Sequence, residues 1–294
     1  MTEDEFRTLA AAVDRSERWG PDDRRGALNF LDVRTTLAAT GEVRRGEVIS
    51  CVDAGLGARP VIAAVATKGE NWLAVDETIT FEQHGAASMT HFDAFGHFFY
   101  DRRGHAGLTP DLLTPEGVSD LDVQAAATGI VGRGLLIDLP AAADVGYLRP
   151  GHYVGLADLE RWLRASNTRP QRGDILFVRT GRPKAPAPEA GGYPRIGGLD
   201  LECTSWVHDS EFSLIVSDAG MDTPESDPPL VENMITPWHV LTLTRMGISL
   251  VDFADLEALS TACAAAGRYT FMAVLGVLPL RGSTASPVNP LAIL

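Results

Sequence analysis

Apolar residues fall in two kinds of pattern along this chain. Residues 134–139, 174–179, 213–218 and 247–252 are short, nearly continuous apolar runs bounded by Gly, Ser or Asp. Runs of that kind predict buried strands, and residues 269–278 predict a longer one near the end. Between them, Leu156, Leu159, Trp162 and Leu163 recur at helical spacing and predict an amphipathic helix over Leu156–Ala165. Residues 199–210 predict another. Thr236-Pro237 has the N-cap and first-turn chemistry of a helix start, with Gly247 as its stop. Strands alternating with helices predict an α/β fold. In the first half, Phe6, Leu9 and Val13 predict a short helix and residues 33–39 a second. Residues 48–52, 61–65 and 74–81 read as strands, the last carrying Val75, Ile79 and Phe81 after Trp72. Residues 183–194 lack periodicity and predict an exposed loop. The tail, residues 282–292, is too apolar and turn-rich for disorder.

The pattern is interrupted at Thr90-His91-Phe92-Asp93-Ala94-Phe95-Gly96-His97. In an extended segment His91 and Asp93 share a face, so both reach one divalent ion. His97 follows beyond Gly96, where the chain can turn, and suits a third ligand or a proton carrier. A hydrogen-bonded structural role fits each histidine taken singly. Two protein donors rarely hold a metal tightly, so further ligands must come from elsewhere. His239 lies in the first turn of its helix, whose positive end disfavours imidazolium and leaves a neutral ligand. Asp252 ends a strand, where open α/β sheets place functional groups; capping a helix near Asp255 is its competing role. Residues 84–89 are small and Gly-containing, so the backbone can approach a site closely. Asp218-Ala219-Gly220-Met221-Asp222 reads as a site-lining corner, and residues 102–107 as a loop over the pocket. In residues 18–31, Gly20-Pro21-Asp22-Asp23 is turn chemistry, with Trp19 and Leu28 pinning the loop to the core.

Composition narrows the function. The chain has 294 residues, 45% of them hydrophobic, with net charge −14. That charge opposes binding to nucleic acid or anionic membranes. Cys51, Cys203 and Cys263 are scattered, against a disulfide framework or zinc finger. An acidic start without a signal-peptide core, and no apolar run of membrane-spanning length, predict a cytoplasmic protein. Neither a G-x-G-x-x-G nor a P-loop is present, so no nucleotide cofactor is expected.

At these residues the chain resembles the cyclase family of metal-dependent hydrolases, which includes bacterial kynurenine formamidase and isatin hydrolase. The marks are Trp19-Gly20-Pro21-Asp22-Asp23 with Gly26 and Asn29, then Thr90-His91-Phe92-Asp93-Ala94 with His97 and Tyr100-Asp101. They continue through residues 133–138, Gly173-Asp174, His239 with Gly247-Ile248, and Ser286-Pro287-Val288-Asn289-Pro290. The resemblance implies one α/β domain over residues 1–294, with a β-barrel-like mixed sheet, surrounding helices and an N-terminal arm of about residues 1–45. It implies a homodimer or homotetramer carrying one or two ions, Zn²⁺ or Mn²⁺. By that resemblance His91, Asp93, His239 and Asp252 are ligands and His97 the catalytic histidine. Two departures stand out. The formamidase pattern puts a further histidine at position 87, where this chain has Ala87, and a glutamate where it has Asp252. The site would then hold one metal, hold it weakly, or recruit His84. The implied activity is hydrolysis of a small amide, lactam or ester carbonyl, on an aromatic or cyclic substrate. Trp72, Phe92, Phe95, Phe98, Phe99, Tyr100 and His105 are the pocket candidates. A lyase or cyclisation step, and a non-catalytic binding role, are the alternatives.

Overall fold

The buried-strand runs assemble into one curled sheet. The computed structural model describes residues 1–53, 61–69, 71–81, 84, 89–186, 196–222 and 230–294. Among these the sheet has nine strands: β1 (Val48–Ser50), β2 (His91–Asp93), β3 (Ile130–Asp138), β4 (Ile175–Arg179), β5 (Leu214–Ser217), β6 (Ser249–Asp252), β7 (Thr270–Leu275), β8 (Ala285–Pro287) and β9 (Leu291–Ile293). Their order is β1-β9-β7-β3-β4-β5-β6-β2-β8. The four central strands, β3 to β6, run parallel and the flanking pairs antiparallel. The result is a mixed α/β domain around a half-barrel.

The central runs are continuously apolar because both faces of the sheet are covered. Leu135, Ile137, Leu176, Val178 and Ile215 enter one core. Their neighbours Leu136, Ile175, Phe177, Leu214 and Val216 enter the other. The helix Leu156–Ala165 buries Leu159, Trp162 and Leu163.

The N-terminal residues are built into this core. The helix Glu3–Ala12 starts at a Thr2–Glu5 capping box and buries Phe6 and Ala10. In the following loop Asp23 accepts from the Arg25 and Gly26 amides at 3.1 and 2.6 Å and from the Asn29 side chain at 2.6 Å. Gly26, at φ +52°, lies against the Gly247 carbonyl, leaving no room for a Cβ. Trp19 packs edge-on against Phe30, 5.5 Å between centroids, and Leu28 is buried. The Trp-Gly-Pro-Asp-Asp stretch is therefore a packed turn.

Three elements differ from their expected form. Residues 199–210 are not one helix but the end of a short strand, Gly198–Leu199, a 3-10 turn, Leu201–Cys203, and a helix, Thr204–Asp209. After one turn, Pro237–His239, the helix continues as a π-helix over Val240–Met246 and stops at Gly247 in the left-handed region. The Thr242 and Thr244 hydroxyls donate to the Trp238 and Val240 carbonyls, both at 2.7 Å. Those carbonyls are the ordinary i−4 acceptors, so the side chains compete with the α-helical ladder. The last long strand ends at Leu275, because the chain then turns outward and exposes Leu278 and Leu280.

Val61–Lys68 and Leu73–Thr80 form a separate antiparallel hairpin. Leu73, Val75, Ile79 and Phe81 alternate along it and are all exposed.

Candidate metal centre

β2 lies between β6 and β8, so the tail of the chain and a central strand fix the two residues of the focal motif. His91 is registered opposite Asp252 on one side and Pro287 on the other; Leu250 and Ala285 flank Asp93. His91 and Asp93 share one face, and Phe92 turns to the opposite core. The His91 Nδ1–H donates to the Met89 carbonyl at 2.8 Å, which leaves Nε2 as the free donor atom, 3.4 Å from Asp93 Oδ1. Gly96 is in a short 3-10 turn, Phe95–His97, with a negative φ. It is small because its Cβ position would meet the Leu121 carbonyl at 2.9 Å.

The other groups arrive from distant segments. His239 Nε2 lies 3.2 Å from Asp252 Oδ2 and 3.7 Å from Asp93 Oδ2. His84, at φ +60°, points Nδ1 to Asp93 Oδ1 at 3.3 Å and Nε2 to the Thr284 hydroxyl at 3.2 Å. His97 stacks on His84, with centroids 3.6 Å apart and planes within 11°. Asp252 caps no helix: at the start of the helix Glu257–Ala266 the Glu257 amide instead donates to the Asp255 carboxylate at 3.0 Å. Ala87 lies outside the described residues.

Asp93 is the centre of this cluster. It is completely buried, yet among the described residues neither of its oxygens has a hydrogen-bond partner, and Asp252 Oδ1 has none either. Burying a carboxylate costs several kcal/mol unless its charge is met, so these oxygens are placed for something other than packing. Two donor sets each lie within 4.8 Å, His91–Asp93–Asp252 and His84–Asp93–His97, and Asp93 belongs to both. Imidazole and carboxylate together suit a divalent ion of the Zn²⁺ or Mn²⁺ type, and the residues fit that group.

Burial would push the Asp93 carboxyl up, but the four surrounding histidines hold it below its usual range. Burial pushes His97 down to about 3 against the pull of Asp93, so its imidazole is neutral. Burial likewise lowers His84. His239 goes the other way. Burial opposes its charged form, but Asp252, Asp222 and Asp93 outweigh that and raise it well above the ordinary value. Without a cation the carboxylates outweigh the helix end and demand positive charge here, and a bound cation is the other way to supply it.

Sequence reading did not single out Asp222 as a partner. It accepts His239 Nδ1–H at 2.6 Å and the amides of Trp238 and His239 at 2.9 and 3.0 Å. This fixes the tautomer and aims Nε2 into the cluster. The only signal was its place at the corner after β5. Gly220 is on the same corner, where a Cβ would come within 2.7 Å of Asp252 Oδ2.

The aromatic wall also differs from the expected one. Phe98 lies 4.8 Å from His97 and 5.0 Å from His239, and Phe253 lies 5.8 Å from His91, centroid to centroid. Phe92 and Phe95 are core residues. His105 is wholly buried, stacked on Phe95 at 4.1 Å with Nε2 3.3 Å from Asp23. Tyr100 lines a cavity beside the N-terminal helix, and Trp72 is exposed beside the hairpin turn. Residues 102–107 pack towards the N-terminal segment, with the Ala106 amide on the Ser16 carbonyl. Buried His105, stacked on Phe95 and reaching Asp23, anchors them there.

A half-barrel with His and Asp side chains gathered at its strand ends defines the class of protein. Residues 60–228 match the cyclase family model, and the chain belongs to that family. Comparison with curated proteins finds no match. The fold is similar to a solved structure described as a novel cyclase, with TM-score 0.84 and 22% identity over 97% of this chain and 99% of that one. It is also similar to isatin hydrolase A from Labrenzia aggregata, with TM-score 0.53 and 16% identity over 87% and 96%. A structure described as a predicted metal-dependent hydrolase from Bacillus stearothermophilus gives TM-score 0.51 and 15% identity over 84% and 97%. Among the described residues no helix is long and apolar enough to cross a membrane.

Proposed function

We propose that the protein is a metal-dependent hydrolase of a small amide, lactam or ester carbonyl. The observation that carries this reading is Asp93, buried with two unpartnered oxygens among four histidines. His91, Asp93, Asp252 and His239 would hold a divalent ion, which when bound supplies Lewis-acid polarisation of a carbonyl and acidifies water. Neutral His97 accepts the proton of the attacking water and returns it to the leaving nitrogen or oxygen. Asp222 holds His239 in the binding tautomer throughout. Phe98 and Phe253 offer apolar walls for an aromatic or cyclic acyl group.

Metal analysis of the purified protein and of His91→Ala tests the ligand set. Near-stoichiometric metal is expected in the first and little in the second; equal occupancy in both refutes it. Turnover of a lactam, formamide and aryl ester panel in oxygen-18 water tests the reaction. Label in the product is expected, and product without label supports the lyase or cyclase alternative.

The hairpin supports a homo-oligomer. A two-stranded ribbon is at best marginally stable alone, and this one exposes an apolar face. Ile79→Glu should lower the sedimenting mass, and an unchanged monomeric mass in both forms would exclude the assembly.

A further inference from the structure

Away from the metal centre, a cavity of about 640 Å³ opens between the helix Glu3–Ala12, residues 14–18, the loop after Tyr100 and Arg245. None of the clustered histidines lines it. Its wall carries five arginines against three carboxylates, in a chain of net charge −14. That local excess is the reverse of the whole molecule.

The arginines are not equally neutralised. Arg18 pairs with Glu211 at 2.6 Å, Arg103 with Glu17 at 3.5 Å, and Arg7 with Glu3 and Asp101 at 3.1 and 3.4 Å. Arg15 has no carboxylate within ion-pair distance among the described residues; its Nε and Nη2 donate to the Met246 and His208 carbonyls at 3.2 and 2.9 Å. Arg245, buried, reaches a carboxylate among the described residues only at Asp14, 3.8 Å away. Asp14 is itself committed through Oδ1 to the Ser16 amide and hydroxyl, at 3.0 and 2.7 Å. The Arg15 amide donates to the Arg245 carbonyl at 2.9 Å, which ties the two backbone segments together at the cavity wall. Arg245 also lies over the Tyr100 ring, 5.4 Å from its centroid. Burial, with Arg18 nearby, lowers Arg15 to about 10.

We propose that this cavity is a second binding site, for a small organic or inorganic oxyanion, a carboxylate or a phosphate. Guanidinium groups bind such oxygens in paired, charge-assisted hydrogen bonds. The alanine face of the helix and the Tyr100 ring give room for an apolar body beside the charge, and the volume suits a ligand of metabolite size. The site is independent of the reaction assigned above.

Calorimetric titration of the metal-loaded protein with benzoate and, separately, inorganic phosphate against a chloride background tests it. Saturable binding of at least one is expected, and which one saturates identifies the oxyanion. Arg15→Gln should weaken it by roughly 10-fold or more. Ala11→Glu, an exposed helix position on the cavity wall, should weaken it at least as much while leaving metal content intact. It also decides the matter if Arg15→Gln fails to fold. Saturation by neither anion overturns the proposal. So does affinity unchanged in either folded variant, because binding at the metal centre would not sense Ala11→Glu.

Discussion

Asp93 and Asp218 are both completely buried carboxylates near strand ends, yet their surroundings are opposite. Asp218 receives the Thr180 amide and hydroxyl at 2.8 and 2.7 Å, and the Gly181 and Arg182 amides at 2.8 and 3.3 Å. Every lone pair has a donor, and the turn leaving β4 is tied to the end of β5. Asp93 receives no hydrogen bond among the described residues and faces a ring of imidazoles instead. A satisfied buried charge holds the fold; an unsatisfied one, surrounded by potential ligands, is held ready for a cation.

Exchanging the two roles by mutation gives the largest expected contrast. Asp93→Ala should lose nearly all bound metal. Its chemical denaturation should no longer respond to chelator, whereas the wild type should lose about 2.7 kcal/mol when metal at 100-fold its dissociation constant is removed. Asp218→Ala should cost about 3–5 kcal/mol of folding stability by stranding its donors, while the folded fraction keeps its metal. Metal loss in Asp218→Ala with no loss of stability would break the comparison.

His97→Asn separates chemistry from binding within the cluster. Turnover should fall by about 10²–10⁴-fold with metal retained, measured by steady-state rates beside metal content. Loss of metal would instead place His97 in the ligand set with His84 and Asp93.

The smallest expected effect is at Asp222. Asp222→Asn keeps the side-chain shape but weakens its hold on His239 Nδ1–H. Metal affinity should fall by about 10–100-fold, read by competition with a chromophoric chelator. Unchanged affinity would show that His239 is aimed by its helix alone.

Much of the frame was legible because its signals are local. The continuous apolar runs at 175–178 and 214–217 announce strands covered on both faces, and the spacing of His91 and Asp93 places them on one face whatever their partners. Asp222 was not legible as a partner of His239, because the bond crosses a segment whose path no local pattern states. Phe253 was passed over for the same reason, and Phe98 could not be told from its aromatic neighbours: an aromatic beside a motif looks alike whether it enters the core or the site. The π-helix also escaped, since two threonines turning back on carbonyls leave the apolar spacing almost unchanged.

The sequence by itself determined the strands, the helices, the shared face of His91 and Asp93, and the residue types a metal would need. The tertiary structure alone decided that the tail strand and β6 clamp β2, that His84 reaches Asp93, and that Asp252 and His239 meet there. Side-chain periodicity depends on neighbours a few residues away. The convergence of charges depends on sheet register and chain crossings between residues far apart in sequence, where each carboxylate's partners are set by the whole fold.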